Sequence, residues 1–188
     1  MKKVHKTTSN QPLIDVIASN GCIQLLEPFL YQPRVEMYQS ELIKKTRVPL
    51  NRGLKHIKAL THQGLLIETE KAGSKFYTVV EENPVLKQLK ILIITSKLYE
   101  LTRDYAGKNI ELFLYGSAAK GEDTEHSDID LLILASDENV AHELADYIRN
   151  HLDREVSPVI YTHIGYANLY NKEKAFYESI ERYKIKVL

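Results

Sequence analysis

Apolar positions recur at helical spacing through the first half of the chain and gather into short strand-like runs in the second. Over residues 20–30, Ile23, Leu26 and Leu30 predict a short helix, with Pro28 bending it or trimming its end. Residues 38–46 predict a second helix, with Ser40 as its cap, and residues 50–63 a third. Pro49 suits the first turn of that third helix, Leu54, Ile57 and Leu60 form its stripe, and Gly64 is its terminator. Between residues 65 and 80, two β-prone runs flank Lys71, Ala72, Gly73 and Ser74, which is a hairpin signal. Pro84 then opens a helix reaching about Tyr105, apolar on most sides at residues 91–94 as expected of a helix packed between two bodies. It can equally build a homodimer interface.

The second half alternates differently. Residues 110–115 predict a strand closed by Gly116 and Ser117. Residues 118–120 begin a helix that Gly121 stops after a turn, and residues 122–127 form a polar loop. Strands are predicted over 128–134 and 155–161, with Pro158 demanding an edge or irregularity in the latter. An amphipathic helix lies between them at 138–152, a final helix at 172–182 and a short strand at 185–187. No internal repeat or low-complexity tract occurs.

Charge sharpens this division. The net charge is zero, yet residues 1–90 hold 14 Lys and Arg against 8 Asp and Glu, whereas residues 91–188 hold 11 against 17. A basic half (+6) suits nucleic acid and an acidic half (−6) suits metal ions, although two plainly solvated surfaces give the same counts. No apolar run approaches a membrane span, and the N-terminal residues lack the apolar core of a signal peptide, so the expected location is cytoplasmic. The single Cys22 excludes an internal disulfide and a multi-cysteine zinc site, and is expected to be a small buried apolar residue.

Asp128 and Asp130 carry the most chemistry. Side chains alternate along a strand, so the two carboxylates point the same way, ~7 Å apart, with Ile129 on the other face. Such a pair can hold hard divalent cations. The Gly116-Ser117 turn supplies backbone N–H groups and a hydroxyl for an anion. Metal plus phosphate in one small unit points to nucleotidyl transfer. His126 beside the pair is expected to be a solvated loop residue.

Gly116, Ser117 and Gly121, followed after a polar stretch by Ser127, Asp128, Ile129, Asp130 and Leu131, resemble the signature of the DNA polymerase β-like nucleotidyltransferase superfamily, most closely its minimal members. The resemblance spans about 80 residues, with the signal strongest over 112–134. It implies that Asp128 and Asp130 bind Mg²⁺ (or Mn²⁺) and are catalytic, and that Gly116, Ser117, Lys120 and Ser127 surround the nucleotide, with Ser127 fixing the loop. It also implies a third carboxylate from a later strand, for which Glu155 is the candidate and Asp153 its competitor.

The helices and hairpin of the first half resemble a winged helix-turn-helix domain, on the pattern of Leu42, Val48, Leu54, Ile57, Leu60 and Gly64 to Leu66. That resemblance implies DNA contact by Arg52 and Lys55, with Lys44, Lys45 and Arg47 near the backbone and Lys71 and Lys75 on the wing. Winged helices also dimerise and dock proteins.

The expected fold is therefore α+β: a winged helix-turn-helix domain at 1–83, a connecting helix at 84–108, and a polymerase-β-like nucleotidyltransferase domain with a small mixed sheet at 109–188. The expected function is metal-dependent transfer of a nucleoside monophosphate from an NTP, with ATP one candidate, to a hydroxyl on a protein, an RNA end or a small molecule. The alternative is a DNA-binding transcriptional regulator whose second domain senses nucleotide or is inactive. An antitoxin-like relation to a partner protein is a third, weaker option.

Overall fold

The computed structural model describes residues 13–188. The chain divides into two compact units, Met1–Leu86 and Lys87–Leu188.

The first unit holds helices α1 (Leu13–Ile17), α2 (Cys22–Leu30), α3 (Gln39–Thr46) and α4 (Leu50–His62). Its strands β1 (Met37–Tyr38), β2 (Ile67–Lys71) and β3 (Ser74–Thr78) form an antiparallel sheet in the order β1-β3-β2. Leu25, Leu26, Phe29, Leu42, Leu60, Leu65 and Leu66 are buried together with Cys22, whose thiol burial pushes up in pKa. Pro28 lies inside α2 rather than ending it, and the helix stops at Leu30. Gly53 lets α4 approach α3 closely: a Cβ there would stand 3.1 Å from Ile43 Cγ1. Gly64, at φ +73, ends α4 where the sequence placed its terminator. The hairpin turns through Ala72 and Gly73, both at positive φ, with Lys71 paired to Ser74, as a two-residue primed turn requires.

The second unit is built on a mixed sheet, order β6-β5-β4-β7, comprising β4 (Ile110–Tyr115), β5 (Ile129–Ala135), β6 (Val156–Tyr161) and β7 (Ile185–Lys186). β4 runs antiparallel to β5 and β7, and β5 parallel to β6. One sheet face packs Leu112, Leu114, Ile129, Leu131 and Ile133 against α5 (Pro84–Thr102) and α7 (Glu138–His151) through Ile94, Leu98, Leu144 and Ile148. The other packs Phe113, Tyr115, Leu132 and Leu134 against α8 (His163–Lys172) and α9 (Lys174–Glu181) through Tyr166, Leu169 and Ile180. Pro158 sits on β6, an edge strand, where its missing N–H leaves no ladder bond unmade.

Three expectations shift. Ser40 lies inside α3 rather than capping it, the N-cap being Tyr38 with no side-chain hydrogen bond. Strands β5 and β6 begin one residue later than predicted, leaving Asp128 and Glu155 just ahead of them. The predicted final helix is α9, and a helix the sequence reading lacked, α8, precedes it, because Thr162 caps a helix at 163 by accepting the Gly165 N–H at 3.0 Å. Only Tyr166 and Leu169 are buried in α8, too sparse a stripe to show in the sequence. Among the described residues, no helix is long and apolar enough to cross a membrane.

Candidate functional site

Asp130 is the second residue of β5, in register with Tyr115 of β4 on one side and Ser157 of β6 on the other. The chain turns from β4 into the short helix α6 (Gly116–Lys120) at Gly116, whose φ is +72. That turn brings the backbone against the acid. A Cβ on Gly116 would stand 2.0 Å from Asp130 Oδ2 and 2.8 Å from its Cγ. Only glycine leaves that space for the carboxyl. Asp128 stands just ahead of β5, and its Oδ2 accepts a hydrogen bond from the Ser157 hydroxyl at 3.0 Å. Burial pushes the Asp130 carboxyl above the usual carboxylate range, and the neighbouring Asp128 charge pushes it further. The Tyr115 hydroxyl is pushed up to about 12 by burial, then by Asp130 and Tyr161.

The loop between α6 and β5 is tightly tied. Gly121, at φ +67, faces the Lys87 backbone of α5, and a Cβ there would meet the Lys87 carbonyl oxygen at 2.4 Å. Glu122 N–H donates to the Ser117 carbonyl at 3.0 Å. The Ser127 hydroxyl accepts from the Thr124 N–H at 2.9 Å, within the loop. Asp123 is 2% exposed and ion-paired to Lys90 at 3.1 Å and to Arg154. These three residues escaped the sequence reading, since a lone lysine in an apolar helix and an aspartate in a polar loop show no pairing at that separation.

The other expected site residues fall as follows. Ser117 is half-buried beside Gly116. Lys120 is exposed, its ammonium 4.9 Å from the Tyr183 ring centre. Glu155 is exposed, and its carbonyl accepts the Ile129 N–H at 2.9 Å. Its side chain lines a cleft of about 620 Å³ with Tyr115, Arg149, Arg154, Ser157 and Val159. Among the described residues no three His, Cys, Asp or Glu side chains gather closely enough to hold a metal ion, so the structure does not bring Glu155 or Asp153 to the aspartate pair. The β6 residue in register with Asp130 is Ser157.

The aspartate pair nonetheless suits a divalent cation. Two carboxylates lie close enough to raise a pKa, and the hydrogen bond given to Asp128 comes from a neutral hydroxyl.

In the first unit Lys44, Lys45, Arg47, Arg52 and Lys55 are all exposed, the first two on α3, Arg47 at its C-terminus and the last two on α4. His56, on the same helix, instead bonds the Asn20 carbonyl oxygen at 3.0 Å. Lys71 pairs with Glu36, and Lys75 with Glu68 at 2.8 Å, so both hairpin lysines are engaged within the unit.

Residues 95–187 match the family model described as a nucleotidyltransferase domain. No curated protein matches the chain. A solved structure of a mutant of the toxin-antitoxin MntA-HpeT is 25% identical, covering 50% of this chain and 72% of that one, with a TM-score of 0.37. By that match, residues 95–187 are similar to a nucleotidyltransferase domain, which supports reading the protein as a transferase.

Proposed function

We propose that the protein moves a nucleoside monophosphate from an NTP, with ATP a candidate, to a hydroxyl acceptor, using Asp128 and Asp130 as catalytic, metal-binding carboxylates. The observation that carries this reading is the Asp130 carboxyl lying directly over Gly116, beside Asp128, at the turn where phosphate would approach the backbone. Asp128 and Asp130 would hold Mg²⁺ or Mn²⁺, which when bound offsets triphosphate charge and acidifies an acceptor hydroxyl. Gly116 admits the phosphate to the backbone, and the Ser117 hydroxyl donates to it. Lys120, exposed at the end of α6, adds positive charge as it leaves the Tyr183 ring. In the transfer, the acceptor hydroxyl gives its proton to solvent as its oxygen bonds the α-phosphorus, the bond to the β-phosphate oxygen breaks, and pyrophosphate departs. Glu155 lines the cleft with Ser157 but stands apart from the aspartate pair, so the transfer proposed here rests on Asp128 and Asp130.

The domain scheme follows the same reading: residues 1–83 as a winged helix-turn-helix, 84–108 as a connecting helix and 109–188 as the catalytic domain. Four helices followed by a hairpin support the winged helix, and exposed Lys44, Lys45, Arg47, Arg52 and Lys55 support contact with DNA.

One observation favours a second reading, a regulator that senses nucleotide without turnover: no third acid gathers at the aspartate pair among the described residues. The test is Mg²⁺-dependent release of pyrophosphate from NTPs in the presence of candidate acceptors, with Asp128→Asn as control. Transfer predicts release that the variant loses. Robust release by the variant refutes the role of Asp128, and nucleotide binding without release selects the sensor.

A further inference from the structure

Asp128 lies outside β5, so the strand ladder alone does not fix its backbone. The segment 154–157 does. The Arg154 guanidinium reaches into the loop ahead of Asp128, donating through Nη2 to the Thr124 carbonyl at 3.1 Å and to the Ser127 carbonyl, and through Nη1 to the Asp123 carboxylate. The Ser127 carbonyl belongs to the peptide group that joins Ser127 to Asp128, so that bond sets the plane from which Asp128 departs. On the other side, Ile129 N–H donates to the Glu155 carbonyl at 2.9 Å. Peptides before and after Asp128 are thus both held by residues 154 and 155, and the Ser157 hydroxyl holds its carboxylate.

Asp123 anchors this clamp to the body of the domain. Lys90, 7% exposed on α5, pairs with the Asp123 carboxylate and also donates to its carbonyl. Arg154 carries a side-chain exposure of 17%. Such buried ions gain little net stability over an apolar packing of the same volume, because desolvation offsets the attraction. What they supply is a single geometry. A planar guanidinium can serve three oxygens of one loop at once, which an ammonium on a flexible stem cannot do with fixed angles.

We propose that Arg154 is the positioning residue for Asp128: anchored through Asp123 and Lys90, it holds residues 123–127 in the conformation that aims the Asp128 carboxylate beside Asp130. This inference rests on the proposed metal-binding role of the pair. Arg154 itself need not touch substrate.

The experiment uses the full chain and the variants Arg154→Lys, Arg154→Ala and Lys90→Met. Amide hydrogen exchange of residues 123–129 in the metal-free chain reads the clamp, and Mn²⁺ binding with ATP by calorimetry reads the site. Arg154→Lys is expected to speed exchange across that loop while β4 stays protected, and to weaken Mn²⁺ binding by roughly tenfold or more, as loss of supporting contacts around metal ligands does. Lys90→Met is expected to move both readouts the same way by less. Unchanged loop exchange overturns the proposal whatever the metal does, as does faster exchange with wild-type Mn²⁺ affinity. Should Arg154→Ala unfold, the other two variants decide. A wild-type chain that binds no Mn²⁺, with the loop still clamped by Arg154, overturns the metal role of the pair and with it the positioning role, a pattern distinct from both failures above.

Discussion

Replacing Gly116 with alanine strikes the aspartate pair through geometry alone. Two costs follow. The first is conformational: an L-residue held at φ +72 costs ~1–2 kcal/mol relative to its ordinary regions. The second is the clash, since the new methyl would stand 2.0 Å from Asp130 Oδ2, 2.8 Å from Cγ and 3.1 Å from Cβ. Rotating the Asp130 side chain clears Oδ2 and Cγ, whereas the Cβ contact needs a small backbone shift. Off-rotamer placement adds about 0.5–1.5 kcal/mol, giving a total of roughly 1.5–3.5 kcal/mol. The functional loss is larger than the stability loss, because the carboxyl can relieve the clash only by leaving the site. Denaturant unfolding followed by amide signals of the second unit measures the first effect, and calorimetric Mn²⁺–ATP binding the second. A double-mutant cycle with Asp130→Ala isolates the clash: in that background the glycine replacement should cost only about 1–2 kcal/mol. Wild-type Mn²⁺–ATP affinity in Gly116→Ala, or an identical cost in both backgrounds, would refute the contact.

Gly121→Ala meets the Lys87 backbone carbonyl at 2.4 Å and a φ of +67, with no rotamer to yield, so it should destabilise the second unit more than Gly116→Ala does; a smaller loss in the same unfolding assay contradicts this. Asp130 supplies a pH signature. Its raised carboxyl pKa means the folded chain holds that proton more tightly than the unfolded one, so its favourable contribution exists at low pH and is lost as pH rises through the raised value. Asp130→Asn should therefore stabilise the metal-free protein at neutral pH, with the gain over wild type shrinking as pH falls towards the unfolded value of about 3.9; a gain independent of pH would count against burial and Asp128 repulsion as the cause. In the first unit, Arg52→Ala or Lys55→Ala should weaken duplex binding and reduce its salt slope by about one each if these side chains meet phosphates, and unchanged slopes in a titration remove them from the interface.

The aspartates were legible because alternation along a strand is a local rule: Asp128, Ile129 and Asp130 announce their faces without knowledge of any neighbour. Gly116 and Gly121 were legible for the same reason, each being a glycine at a turn. What crosses between elements was not. Ser157 stands beside Asp130 only because β5 and β6 pair in parallel at one particular register, and a serine among Val, Pro and Val carries no sign of it. Glu155 drew notice for its acidity, yet β6 starts after it and the acid stays exposed. Lys90, Asp123 and Arg154 come from three separate segments, so their meeting depends wholly on packing. The bond between His56 and the Asn20 carbonyl likewise joins residues 36 apart in sequence, which no local pattern announces.

The three-strand register has a bearing on how this domain can change length. β5 is locked at once by antiparallel partners on β4 and parallel partners on β6. An extra residue inside β5 would swing the acids into the layer now filled by Ile129 and Leu131, and both ladders would have to re-form together. Insertions and deletions are therefore barred from this strand, and an engineer lengthening the protein would have to work elsewhere in the chain.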